Sequence, residues 1–207
     1  MRQTKPRQRA VQQRAEETKE AIVQAGIELF SARGYDGVSI KALEDASQTK
    51  RGLVAYHFGS KEALWKVVAT RIFAPMPQMT GPDDQKPDTQ LQKDELLRAS
   101  LTEFVLYSAA HPELSRLIIQ EAKTRSWRLD FLVENFVRPR VKWMERLMGE
   151  IDAHTLYIFV GAATLMFDVE AECEQLFGFN PRQEHIARAH AERLCDLLLG
   201  YRPTTAL

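Results

Sequence analysis

Residues 39–64 read SIKALEDASQTKRGLVAYHFGSKEAL. The pattern predicts a short helix from about Ser39 to Ala46, a turn at Ser47–Thr49, a second short helix over Lys50–His57, and a further helix opening at Ser60. Ser39 is a suitable N-cap, because its hydroxyl can accept a hydrogen bond from a first-turn amide. Leu43, Val54 and Phe58 supply the inward apolar positions. Lys41, Lys50, Arg51, Tyr56, His57 and Lys61 supply donors and charge on the outer side. Two short helices at a steep angle, the second rich in donors, form the arrangement that lays a helix in the major groove of DNA.

Upstream, a helix is predicted over about Arg14–Arg33, with Ile22, Gly26, Leu29 and Phe30 on one face and Gly34 ending it. Downstream, helix four carries Leu64, Val67, Val68 and Ile72 inward. Pro75, Pro77, Gly81, Pro82 and Pro87 then interrupt a polar stretch that cannot hold a helix, so residues 75–88 read as a linker or loop. Helices follow at about Thr89–Ala110, Pro112–Arg125, Trp127–Gly149 with a kink at Pro139, Ala153–Asp168 and Pro181–Gly200. A looser acidic stretch leads up to Gly178. No strand alternation stands out. The expected fold is all-α: a basic arm (1–13), a helix-turn-helix domain (14–74), the Pro-rich segment (75–88), and a larger helical bundle (89–207) for dimerisation and ligand binding.

The whole chain of 207 residues is neutral, with 28 basic and 28 acidic residues. The balance hides an asymmetry. Residues 1–73 hold 13 basic against 8 acidic residues, net +5, and the remainder holds 15 against 20, net −5. A basic N-terminal third on an acidic remainder fits a polyanion-binding module joined to one with another task; a merely solvated lysine-rich surface is the plainer alternative. Cys173 and Cys195 are too few for a disulfide framework, no paired Cys/His spacing suggests zinc, and the basic N-terminus lacks an apolar signal core. The acidic run Asp168, Glu170, Glu172, Cys173, Glu174 does not set three ligands on one helical face. No metal or cofactor is expected, and a soluble cytoplasmic protein is.

Residues 14–73 resemble the N-terminal domain of the TetR/AcrR family of bacterial transcriptional regulators. The resemblance rests on AIVQAGIELFSARGYDGVSI, then LEDASQTKRGLVAYHFGSKEAL, and above all on YHFGSKEAL. It implies that Lys50–His57 is the recognition helix, with Lys41 reaching the groove from the helix before. By the same resemblance Lys50 and Arg51 reach base edges or phosphates, and Gly52 allows close backbone approach. Leu53 and Ala55 touch thymine methyls, while Tyr56, His57 and Lys61 anchor phosphates with help from the amides opening helix four. Tyr56 packed at the domain edge, His57 as a structural residue and Lys61 as a solvated cation are the alternatives. The chain departs from the family pattern at Ala55, often tyrosine, and at Gln48, commonly glycine.

Helix eight, LYIFVGAATLMF at its centre, is apolar around its circumference, whereas a surface helix keeps a polar face. Packing one face inward and the other on a second copy resolves this, and the resemblance implies the same homodimer through the last two helices. Ile158, Gly161, Ala162, Leu165, Leu194, Leu197 and Leu198 are the interface candidates; a central core helix of a monomer is the alternative. The resemblance also implies a small-molecule effector held between helices. Phe104, Tyr107, Ile118, Trp127, Phe131 and Met166 are its candidate apolar lining, with Glu121 and Arg125 as polar anchors, although such stripes equally suit plain core.

The expectation is therefore a homodimeric repressor that binds a palindromic duplex and answers to a hydrophobic or amphipathic effector, with no membrane partner. A regulator without a ligand, whose C-terminal domain only dimerises or docks a protein, is the rival. An enzyme is disfavoured, since no GxSxG, HExxH or P-loop occurs.

Overall fold

The computed structural model describes residues 6–76 and 89–199. The first five residues, and residues 77–88 of the Pro-rich segment, lie outside them. Among the described residues the elements are helical: α1 (Pro6–Arg33), α2 (Ile40–Ala46), α3 (Leu53–Phe58), α4 (Lys61–Phe73), α5 (Gln90–Ala110), α6 (Glu113–Glu121), α7 (Trp127–Leu132), a π turn (Val133–Val137), α8 (Arg138–Met148), α9 (Ala153–Asp168), α10 (Glu170–Phe177) and α11 (Glu184–Leu199).

Local chemistry accounts for most of these boundaries. Ser39, Ser60, Thr89 and Ser126 each accept a first-turn amide at the head of α2, α4, α5 and α7. Thr89 and Gln92 form a reciprocal capping box. α1 starts at Pro6, upstream of the expected Arg14, so much of the basic arm is helical. The expected long helix from Trp127 is broken where Pro139 acts. Proline has no amide for the carbonyl of Asn135 and its ring crowds that carbonyl. The preceding turn widens, and the Arg138 amide bonds Val133 O instead. The acidic stretch is more ordered than expected. It forms α10, with Glu170 and Glu172 in the first turn, where carboxylates oppose the helix dipole favourably, and Gly178 (φ 72°) closing it.

Two cores organise the chain. The first joins α1–α4 through Ile22, Phe30, Val38, Leu43, Val54, Leu64, Trp65 and Val68, and it continues into Leu114 and Leu117 of α6 and Leu132 of α7. α1 and α4 approach closely at Gly26, where an added Cβ would lie 2.7 Å from Val68 Cγ2. Val67, expected inward, is instead 41% exposed. The second core packs α5, α8, α9 and α11 around Leu101, Val105, Phe159, Ala163, Phe167 and Ala191. The N-terminal head therefore sits on the bundle through α1 and α4 against α6.

Candidate nucleic-acid interface

α2 buries Leu43 and turns Lys41 outward. Its Glu44, only 5% exposed, points across the turn, and Oε1 accepts the Gly52 amide at 2.7 Å. The turn is further closed by Thr49 N–H donating to Glu44 O (2.9 Å) and by a Ser47–Thr49 hydroxyl pair (2.9 Å). Gln48 takes φ 54°, the left-handed region that favours glycine. Gly52 takes φ 88°, and nothing lies within 4 Å of where its Cβ would stand.

This geometry starts the second helix at Leu53, three residues later than the sequence suggested. Lys50 and Arg51 stand in the turn ahead of it, both exposed. α3 buries Val54, half-buries Leu53 against the head core, and exposes Ala55 and Tyr56, the latter at 80%. The half-buried His57 ring meets Tyr56 edge-on at 4.9 Å. Gly59 (φ 78°) ends the helix and Ser60 opens α4. Lys41, Lys50, Arg51, Gly52, Ala55, Tyr56 and His57 thus lie within one α2–turn–α3 unit.

Lys61 is placed differently. Its Nζ donates to Tyr35 O (2.9 Å) and Val38 O (2.8 Å) and lies 4.0 Å from the centre of the Tyr35 ring. Burial, with Arg128 adding to it, holds its pKa below the ordinary lysine value although Asp36 opposes the shift. Lys61 is an internal tie to the α1–α2 loop rather than a free cation.

The candidate effector residues are not brought into one pocket. Trp127 meets Trp65 and Tyr35 edge-on at 5.2 and 5.5 Å, and Phe131 meets Trp65 at 5.9 Å. Ile118 packs against the same head core, Met166 against the second core, and Phe104 against both. Arg125 is exposed. Glu121, 3% exposed, is not a vacant anchor: its carboxylate takes Arg128 Nε at 2.6 Å and the Tyr35 amide at 3.2 Å. Sequence reasoning missed Arg128, which reads as a solvated cation until its partners are known. Tyr107 stacks on His111 (4.3 Å) and donates its hydroxyl to Ile72 O at 2.9 Å. It also lines a cleft of about 630 Å³ between α1, α4, α5 and α6, with Ile27, Glu28, Arg71, His111 and Glu113.

On the bundle, α9 divides cleanly. Phe159, Ala163 and Phe167 are buried, while Ile158 (62%), Ala162 and Leu165 (59%) are exposed on the other side, with Tyr157. Gly161 has open space where a side chain would stand. On α11, Leu197 is 81% exposed and Leu198 half-buried. Leu194, expected at an interface, is instead 4% exposed, covered within one chain by the second core. No helix among the described residues is long and apolar enough to cross a membrane.

Residues 22–68 match the family model for bacterial regulatory proteins of the tetR family. The HTH-type transcriptional repressor NicS of Pseudomonas putida is 28% identical over 110 residues, which cover 53% of this chain and 50% of NicS. The HTH-type transcriptional repressor AcnR of Corynebacterium glutamicum is 30% identical over 64 residues, covering 31% of this chain and 34% of AcnR. The chain thus spans half or less of the length of these relatives. Both are named as repressors rather than enzymes. Among solved structures, the hemolysin II transcriptional regulator HlyIIR aligns over 90% of this chain and 99% of its own at 19% identity, with a TM-score of 0.65. A TetR-like transcriptional regulator from Rhodococcus sp. RHA1 aligns over 88% and 93% at 18% identity, with a TM-score of 0.59. At these identities the likeness concerns the fold alone. The matched segment contains the α2–turn–α3 unit, so the likeness to the tetR family of bacterial regulatory proteins falls on the part of the chain that carries the exposed donors.

Proposed function

We propose that the chain is a homodimeric, ligand-responsive transcriptional repressor of a palindromic DNA operator. The observation that carries this reading is the rigid α2–turn–α3 unit with its exposed donors. Glu44 and Gly52 pin the turn, so Lys50, Arg51, Tyr56 and Lys41 project from a frame with little freedom to lose on binding. Arg51 suits a bidentate contact to guanine, Leu53 and Ala55 suit thymine methyls, and Lys41, Lys50, Tyr56 and His57 suit phosphates. The exposed apolar side of α9 with Leu197 is the surface a second copy would cover, through Ile158, Gly161, Ala162, Leu165, Leu197 and Leu198. Two heads related by a two-fold axis call for two inverted half-sites.

Effector response rests on how α4 is held. Tyr107 of α5 bonds Ile72 O, and Arg140 of α8 donates to Phe73 O (3.3 Å) and Met76 O (3.2 Å). A molecule that changes the packing of α5 or α8 therefore acts on the end of the helix that leads from the head. The ligandless regulator is favoured by a different observation: Trp127 and Phe131, expected to line a cavity, each pack edge-on against the buried Trp65.

The test is Arg51→Ala, measured by fluorescence anisotropy on a duplex selected by the wild type. The expected loss is about 1–3 kcal/mol, with one base position relaxed. Unchanged affinity would overturn the assignment of this unit as the reader.

A further inference from the structure

We propose that Glu121 and Arg128 form a clamp that sets the orientation of each DNA-reading head, and with it the half-site separation the dimer accepts; this rests on the DNA-binding reading above. The loop between α1 and α2 is held from two sides. From the head, Lys61 binds the carbonyls of Tyr35 and Val38. From the bundle, Glu121, the last residue of α6, accepts the Tyr35 amide at 3.2 Å. Arg128 of α7 donates to Glu121 at 2.6 Å and to Asp36 at 3.1 Å. Its guanidinium lies 4.7 Å from the centre of the Tyr35 ring, which Lys61 approaches to 4.0 Å. α2 begins at Ile40, so the grip falls a few residues ahead of the reading unit.

The charge arrangement makes Glu121 the critical member. Two cations converge on one tyrosine, and like charges so placed repel. The anions paired with Arg128 are Asp36, whose side chain is 83% exposed and screened by water, and Glu121, whose side chain is 3% exposed and is not. A buried ion pair tolerates little geometric slack, because displacement leaves a desolvated charge without its partner. Trp127, beside Arg128, extends the grip by meeting both Tyr35 and Trp65 edge-on. Relative motion of α6 and α7 therefore passes directly to the start of α2.

The experiment uses the full chain and a set of duplexes carrying the selected half-site at centre-to-centre separations stepped by one base pair. A rigid dimer should prefer one separation sharply, since half-sites must lie on matching faces of the duplex. Glu121→Gln keeps the shape and the acceptor for Tyr35 but removes the charge. The expected result is retained half-site recognition with the preference for the best separation over its neighbours reduced about fivefold or more, the lower end of ordinary couplings between sites. Arg128→Lys, which keeps the charge and loses the fork, should shift the profile the same way and covers the case in which Glu121→Gln fails to fold. A wild-type separation profile in these variants, even with lowered melting temperatures, would overturn the clamp as a positioning device. Failure of the wild type to bind any duplex would overturn the DNA-binding reading first, and the clamp with it.

Discussion

Replacing Leu165 by alanine tests the dimer on its proposed face. Leu165 is 59% exposed in one chain, and Ile158 and Leu197, proposed for the same face, are 62% and 81% exposed. Fully burying a leucine side chain is worth about 1.5–3 kcal/mol, so the part left for a partner to cover contributes about 1 kcal/mol. A two-fold interface repeats every substitution, which brings the loss to about 2 kcal/mol per dimer. At about 1.4 kcal/mol per tenfold, the dimer should dissociate about thirtyfold more readily. The side chain is exposed in the single chain, so the fold of each subunit should survive. Sedimentation across a dilution series reads the constant directly. Leu91→Ala, 68% exposed on α5, is the control for a general effect of trimming surface leucines. A dissociation constant unchanged by Leu165→Ala, or changed equally by Leu91→Ala, would refute the assignment of this face.

Deleting residues 1–13 removes four cations, Arg2, Lys5, Arg7 and Arg9. Binding should weaken to a similar degree on all duplexes and depend less steeply on salt, as lost phosphate contacts require, and affinity measured from low to high salt checks this. Gly26→Ala should destabilise the head by about 1 kcal/mol or more despite alanine's better helix propensity. The new Cβ meets Val68 Cγ2 at 2.7 Å, and a β-branched side chain in the core has no free rotamer to retreat into. Denaturant unfolding measures it; a neutral or stabilising result would mean that α1 and α4 separate at little cost.

Much of the fold was legible because its signals are local. Hydroxyl caps at Ser39 and Ser60, the stop at Gly34 and the apolar period of α1 need only a few neighbouring residues, and the helices stand where those signals put them. What escaped depends on partners distant in sequence or on backbone detail. Glu44 reads as a solvated helix residue until the chain folds back and offers it the Gly52 amide. The onset of α3 at Leu53 follows from the left-handed Gly52, whereas donor content alone extended that helix back to Lys50. Apolar periodicity says that Leu194 and Leu197 shun water, but not which neighbour covers them. α5 and α9 cover the first, and the second is left at the surface. Glu121 shows the same ambiguity for charge, since a carboxylate near aromatics suits a ligand anchor until Arg128 is seen beside it.

The account stands most directly on selection of duplexes from a random pool by the wild-type chain, with Tyr56→Ala and Arg51→Ala run in parallel. It predicts enrichment of an inverted repeat by the wild type, and by the variants a weakened site altered at the base steps facing the α2–turn–α3 unit. No enriched repeat with the wild type, or the same site and affinity with all three proteins, would contradict it.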